Sequence, residues 1–185
     1  MIGRLPKSLV VNGVEYDIRT DFRDVLNIVC AFSDPELEDN EKAYVCLCVL
    51  YEDFDDIPQS DYEEAFMKAV EFIDCGKAED DKHSPRVMDW EQDESIMFPA
   101  INKVAGFETR SAEYIHWWTF LGYYMEISEG VFSNVLSLRM KKAKGKPLEK
   151  WEQEFWSANK SVCVLKPKLT AEEQAAKDRL NAMIG

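Results

Sequence analysis

Two histidines are the side chains of this 185-residue chain whose ordinary pKa best suits acid and base catalysis near neutral pH. His83 lies in a charged stretch, whereas His116 lies in an aromatic one, close to Thr119 and Tyr123 on a helical wheel. Neither histidine has a nucleophile motif nearby. We therefore interpret His116 as a hydrogen-bonded side chain at the edge of the core, with a catalytic base as the alternative.

Carboxylates offer a second kind of chemistry, because paired Asp or Glu side chains can act as acid and base or hold magnesium. Such a site could be formed by Asp89 with Asp93, or by Asp53, Asp55 and Asp56. However, acidic residues are expected at helix starts and in loops of a chain whose net charge is −13. No glycine-rich phosphate loop accompanies them. We interpret these carboxylates as ordinary helix-start and loop residues.

The cysteines do not indicate a metal site. Cys46 and Cys48 would point about 200° apart on a helix, which prevents them from binding one tetrahedral zinc ion. The five cysteines include no CxxC pair, and most lie in apolar surroundings typical of buried, reduced thiols. We therefore predict no catalytic residue, no cofactor and no metal, and hence no enzyme.

Charge is distributed unevenly along the chain. The acidic segment, residues 34–56, holds nine acidic residues against Lys42 alone, and the basic segment, residues 139–150, holds six basic residues against Glu149 alone. A helix dipole favours basic residues at its C-terminus, which is one explanation. The other is contact with an acidic partner, or with the acidic segment of another copy in a head-to-tail assembly. The candidate partner-binding residues are then Arg139, Lys141, Lys142, Lys144 and Lys146.

The net charge of −13 argues against a general nucleic-acid or anionic-membrane binder, because phosphate contacts need clustered Lys and Arg. The N-terminus lacks the apolar region of a signal peptide. No run approaches the ~20 apolar residues that cross a bilayer. The sequence therefore predicts a cytoplasmic protein.

Helices dominate the predicted fold. A small β-hairpin at about residues 8–17 turns at Asn12-Gly13, a pair suited to the positive φ angles of a type I′ turn. Beyond it, the spacing of apolar residues predicts a mainly α, single-domain bundle of about seven to eight helices over residues 1–165. A mobile linker is predicted at about residues 76–88, and a weakly apolar helix at 166–185 is predicted to be peripheral.

One apolar run, residues 44–51, is compatible with either a buried strand or a buried helix. We predict a helix from about residue 39 to residue 52, because only Val45 and Val49 in the run are β-branched and the residues leading into it are acidic. A strand remains the alternative.

The densest aromatic stretch predicts a helix from Ser111 to about Ile127. Its core-facing side chains are predicted to be Tyr114, Trp118, Leu121 and Met125. Trp117 and Tyr124 lie beside this face, so each is predicted either to pack in the core or to form part of a docking surface.

Four blocks from residue 89 onward allow a more specific interpretation. They are DWEQD at 89–93, HWWTFLGYY at 116–124, KKAKGK at 141–146 and KWE at 150–152. In this order they resemble the bacteriophage gp-fifteen family, and the pattern from Leu5-Pro6 through Tyr16 to Phe22 is similar as well. The resemblance covers most of the chain and is weakest at residues 76–88 and after Pro167.

The resemblance implies a role in phage tail morphogenesis, in long-tailed phages and prophages of Gram-positive bacteria. The implied role is that of a tail assembly chaperone, which binds the tape measure protein in the host bacterial cytoplasm while tail-tube subunits are recruited. The alternative is a structural minor tail protein retained in the virion. The family brings no catalytic residue. The expected partners are the tape measure protein and other tail proteins, with self-association as a further option, and neither nucleic acid nor membrane.

Overall fold

The computed structural model describes residues 3–76 and 85–184 of the chain, and this part is mainly helical. A two-stranded antiparallel hairpin precedes eight helices of seven or more residues among the described residues. The strands are β1 (Ser8–Val11) and β2 (Val14–Asp17), and the helices are α1 (Phe22–Phe32), α2 (Asp39–Leu50), α3 (Tyr62–Ile73), α4 (Glu94–Ala105), α5 (Trp117–Met125), α6 (Val131–Ala143), α7 (Lys150–Ala158), the single turn α8 (Lys160–Cys163) and α9 (Ala171–Ile184). The predicted fold class is confirmed.

The chain divides into two compact units, one formed by residues 1–76 with 167–185 and the other by residues 77–166. The hairpin, α1 to α3 and α9 belong to the first unit, and α4 to α8 belong to the second. The predicted linker at about 76–88, with His83, lies largely outside the described residues. Its mobility and the single domain at 1–165 therefore stay predictions.

The hairpin turns at Asn12 and Gly13, whose φ angles are 46° and 84°. Because both angles are positive, the turn is the predicted type I′, which Asn tolerates and Gly adopts without strain. Val11 is fully buried at the end of β1. The ring of Tyr16 packs edge-on against that of Tyr51, with 6.2 Å between ring centroids, and this contact joins the hairpin to the end of α2.

The apolar run at 44–51 is helical as far as Leu50, so the helix prediction is confirmed. A capping box starts α2, in which the backbone N–H of Glu38 donates to the carboxylate of Glu41 at 2.8 Å. After Leu50 the chain becomes extended at Tyr51. The hydroxyl of that buried tyrosine donates to the carbonyl oxygen of Ala65 in α3 at 2.8 Å, which links α2 and α3 through the core.

The second unit is built on α4, which packs against both α5 and α6, while α8 contacts α6 and α7. Its core consists of side chains that are almost completely buried: Met97, Ile101, Trp117, Phe120, Phe132, Val135 and Leu138.

The aromatic helix differs from its prediction in both its start and its buried face. α5 begins at Trp117 rather than near Ser111, because the chain makes a 3-10 turn at Thr109–Ser111 and is then extended at Ala112. Trp117 and Phe120 are its buried residues. The predicted core residues Tyr114 and Met125 are 51% and 56% exposed, and Trp118 and Leu121 are only half-buried. The face of α5 that is buried lies about a quarter turn from the predicted face. A helical wheel could not distinguish the two faces, because both are apolar.

Candidate functional site

The basic segment, residues 139–150, comprises the last part of α6, a loop and the first residue of α7. Lys144, Lys146 and Lys150 are exposed there, and none of them forms an ion pair with any described residue. Their ammonium groups are therefore accessible to a partner. The remaining candidates of the segment have contacts within the fold.

Arg139 is buried, and its guanidinium is fully occupied. It holds the carboxylate of Asp93 with two hydrogen bonds of 2.7 and 2.8 Å. Its other N–H groups donate to the carbonyl oxygens of Val87, Val162 and Cys163 at 2.9, 2.6 and 2.9 Å. All five donors of the side chain are thus satisfied inside the second unit. A partner-binding role for Arg139 stays untested, but the observed contacts are structural.

The hydrogen bonds around Arg139 and Asp93 continue into the turn that precedes α4. The buried carboxylate of Asp89 accepts hydrogen bonds from the backbone N–H groups of Glu91 and Gln92 at 3.1 and 2.9 Å and forms an ion pair with Arg86. The backbone N–H of Asp89 donates to Asp93 at 3.0 Å. The two carboxylates considered above for acid and base or magnesium chemistry are therefore held by guanidinium and amide donors.

Two further lysines of the basic segment have side-chain partners within the second unit. Lys141 forms an ion pair with the buried Glu152 of α7 at 2.5 Å. This hydrogen bond raises the pKa of Lys141, and the same bond, with help from the backbone N–H of Glu149, lowers the pKa of Glu152. The ammonium of Lys142 lies 4.4 Å from the centre of the Trp156 ring, a cation–π contact. Both contacts hold α7 against the end of α6.

Trp117 and Tyr124, the two aromatic candidates, lie in one cluster. Trp117 is buried, and its ring is 6.3 Å from that of Trp90. Tyr124 is half-buried between Trp90, at 5.0 Å, and Phe132, at 6.0 Å. Burial, followed by the charge of Asp93, raises the pKa of Tyr124. Core packing thus accounts for Trp117, while Tyr124 remains partly exposed.

His116 caps α5. It is buried, and its Nδ1 atom accepts a hydrogen bond from the backbone N–H of Trp118 at 3.1 Å. This is the bond that an N-cap side chain makes to the first turn of a helix. The interpretation of His116 as a hydrogen-bonded histidine at the core is confirmed.

Polar atoms in the interior are satisfied: none of the buried side-chain nitrogen or oxygen atoms of residues 3–76 and 85–184 lacks a hydrogen-bond partner. Nor does this part of the chain contain three or more His, Cys, Asp or Glu side chains grouped to hold a metal ion. The predicted absence of metal, cofactor and catalysis stays a prediction.

A feature not predicted from the sequence is a partly exposed aromatic cluster of Tyr44 and Phe54, which lie in the acidic segment, and Tyr62, which follows it. The rings of Tyr44 and Phe54 meet edge-on with centroids 5.4 Å apart, and those of Phe54 and Tyr62 are 5.1 Å apart. The signal in the sequence was aromatic residues alternating with Asp and Glu from residue 51 to residue 62.

These features define a class of protein: a mainly helical chain with an N-terminal hairpin, an exposed acidic and aromatic surface in one unit and exposed lysines in the other. No described helix is long and apolar enough to cross a membrane. The family model described as Bacteriophage Gp15 protein matches residues 1–163, and the chain belongs to this family. Searches of curated proteins and of solved structures give no match.

Proposed function

We propose that this protein is a non-enzymatic phage tail assembly protein: a chaperone that binds the tape measure protein in the host bacterial cytoplasm during tail-tube assembly. The observation that carries the proposal is the family match over residues 1–163, since resemblance to this family implies tail morphogenesis. The match stops before α9, so the proposal concerns the hairpin and the helices up to α8.

Surface chemistry supports a binding role. A chaperone for a long helical protein must stay dissolved while offering apolar contacts to its client. A net charge of −13 favours solubility. Large apolar side chains lie more than 50% exposed in both units, among them Tyr44 and Met67 in the first and Met125 and Trp151 in the second. Aromatic and methionine side chains are enriched in protein interfaces.

Co-expression tests the proposal directly. The tape measure protein of the same phage, produced alone and together with this chain, should be largely insoluble in the first case and soluble in the second. It should also copurify with an affinity tag on this chain. A long coiled-coil protein of similar length and unrelated origin is the control, and its solubility should not change. Absence of both copurification and a solubility gain would reject the proposal.

A further inference from the structure

An exposed face of the first unit carries three aromatic rings in contact. Tyr44 belongs to α2, Phe54 to the 3-10 turn after it, and Tyr62 to the first residue of α3. Tyr44 is 56% exposed, and the other two rings are half-buried. We call these three residues the aromatic face. Because they come from three different elements, the face is held in place by the fold and does not depend on a single flexible side chain.

Three aspartates lie within two positions of Phe54, the central residue of the aromatic face, in the sequence. Asp53, Asp55 and Asp56 are exposed, and none of them forms an ion pair with a described residue. The pKa of Tyr44 is raised, first by its hydrogen bond with Cys48, and the negative charge of Asp55 acts in the same direction. An electron-rich aromatic surface with unpaired negative charge at its edge suits a cationic ligand, through both Coulomb attraction and cation–π contact.

The chain itself carries a segment of that chemistry. Lys144, Lys146 and Lys150 are exposed and unpaired among the described residues, and Trp151 beside them is 53% exposed. The indole N–H of Trp151 donates to Glu149 at 3.0 Å, which fixes the ring at the start of α7. Three accessible ammonium groups and one indole therefore match three accessible carboxylates and an aromatic face.

We propose that the aromatic face of one copy binds residues 144–151 of a second copy. The two surfaces are different parts of the chain, so the contact is heterologous, and a pair of bound copies still offers one free surface of each kind, one on each copy. The protein therefore assembles head to tail, and its mean mass grows with concentration. This inference does not depend on binding of the tape measure protein.

The first test is the mass in solution, measured by sedimentation velocity and light scattering on the full-length chain. At ~20 mM salt the mean mass should rise with concentration. At ~0.5 M salt it should fall toward that of a single chain, because the Debye length shrinks from ~20 Å to ~4 Å. A single-chain mass at every concentration at low salt would overturn the proposal.

Neutralising either surface should abolish the mass increase. The face variant is Asp53→Asn, Asp55→Asn and Asp56→Asn together, and the lysine variant is Lys144→Gln, Lys146→Gln and Lys150→Gln together. Matched controls with the same change in net charge are Glu113→Gln, Glu126→Gln and Glu154→Gln for the first, and Lys160→Gln, Lys166→Gln and Lys177→Gln for the second. If the controls lose the mass increase as fully as the two surface variants do, association depends on net charge alone and the proposal is overturned.

Mixing the two variants provides the decisive experiment. Each keeps the surface that the other has lost, so a 1:1 mixture should form dimers and stop there, whereas either variant alone remains a single chain. Tyr44→Ser in the otherwise unchanged protein should weaken association about tenfold through loss of one aromatic contact. Circular dichroism of each variant verifies the fold. A mixture of folded variants that stays monomeric would contradict the assignment of these surfaces.

Discussion

Arg139 shows which contacts of a single residue local sequence patterns leave out. It is the one arginine among the lysines of the basic segment, and its planar guanidinium suits a two-bond contact with a carboxylate. The sequence did not predict that it is buried and paired with Asp93, because the two residues lie 46 positions apart and local patterns hold no information about pairs that distant. His116 differs, because its hydrogen bond spans only two positions. A hydrogen-bonded histidine could therefore be predicted there from the sequence.

The buried ion pair leads to a stability prediction. Arg139→Met should lower the free energy of unfolding by about 3 to 5 kcal/mol, because the Asp93 carboxylate is left buried without its counterion. Adding Asp93→Asn removes that charge, so the double variant should be more stable than Arg139→Met alone. Urea unfolding followed by tryptophan fluorescence measures both. The surface control Lys144→Met should change stability by less than about 0.5 kcal/mol. A double variant less stable than the single one would contradict the ion-pair interpretation.

The contact between Lys141 and Glu152 predicts a dependence on pH. The pKa of Glu152 is lowered in the folded protein, first by its hydrogen bond with Lys141. Its contribution to stability is therefore fully present above the unfolded-state pKa of about 4.3 and is lost as the pH falls through the lower, folded-state pKa.

Glu152→Gln is the variant that reveals this contribution, since Gln keeps an oxygen for the N–H of Glu149 but has no charge. The difference in unfolding free energy between the wild type and this variant should be largest near neutral pH and shrink below pH ~4.3. The exposed control Glu154→Gln should show little difference at any pH. A difference that is constant from pH 7 to pH 3 would show that Glu152 is not ion-paired in solution.

At the scale of elements, the approximate positions of the helices could be predicted from the spacing of apolar residues. The first residue of α5 and the face that it buries could not. The acidic residues that lead into α2 and the Asn12-Gly13 turn involve only near neighbours in sequence, and both features were used correctly to place α2 and the hairpin. The start of α5 depends on the turn at Thr109, whose N–H and hydroxyl both donate to Asn102 of α4 at 2.8 Å. No local sequence pattern contains that tertiary contact, so the predicted helix starts too early in the chain.

His116 caps the start of α5, and its replacement tests that role. His116→Ala should lower the free energy of unfolding by about 1 to 2 kcal/mol through loss of the cap, with an additional loss of packing. His116→Asn restores a cap acceptor and should recover part of this loss. Thermal unfolding of the three proteins at one pH gives the comparison. Equal destabilisation by Ala and Asn would indicate that packing, not capping, is the role of this residue.

At the scale of the whole molecule, the family and the helical fold class could be predicted from the sequence, because both rest on long stretches of pattern. The division into units 1–76 with 167–185 and 77–166 was not predicted, since it depends on contacts between distant parts of the chain. The aromatic face was missed for the same reason: its three rings come from separate elements and meet only after folding.

The C-terminal helix permits a prediction at this scale. Every described side chain of α9 is exposed, and the family match ends at residue 163, before it begins. Removing residues 167–185 should therefore change the free energy of unfolding by less than about 1 kcal/mol. Urea unfolding of the truncated and complete chains measures the difference. A loss above about 2 kcal/mol would mean that this segment is an integral part of the first unit.

Quantitative mass spectrometry of infected cells and purified phage particles tests the proposal that this chain assists tail assembly and does not remain in the tail. We expect many copies of the protein in the infected cell and none above background in the particle, with the major tail protein as the internal standard. A fixed number of copies per particle would contradict it and would identify the chain as a structural minor tail protein.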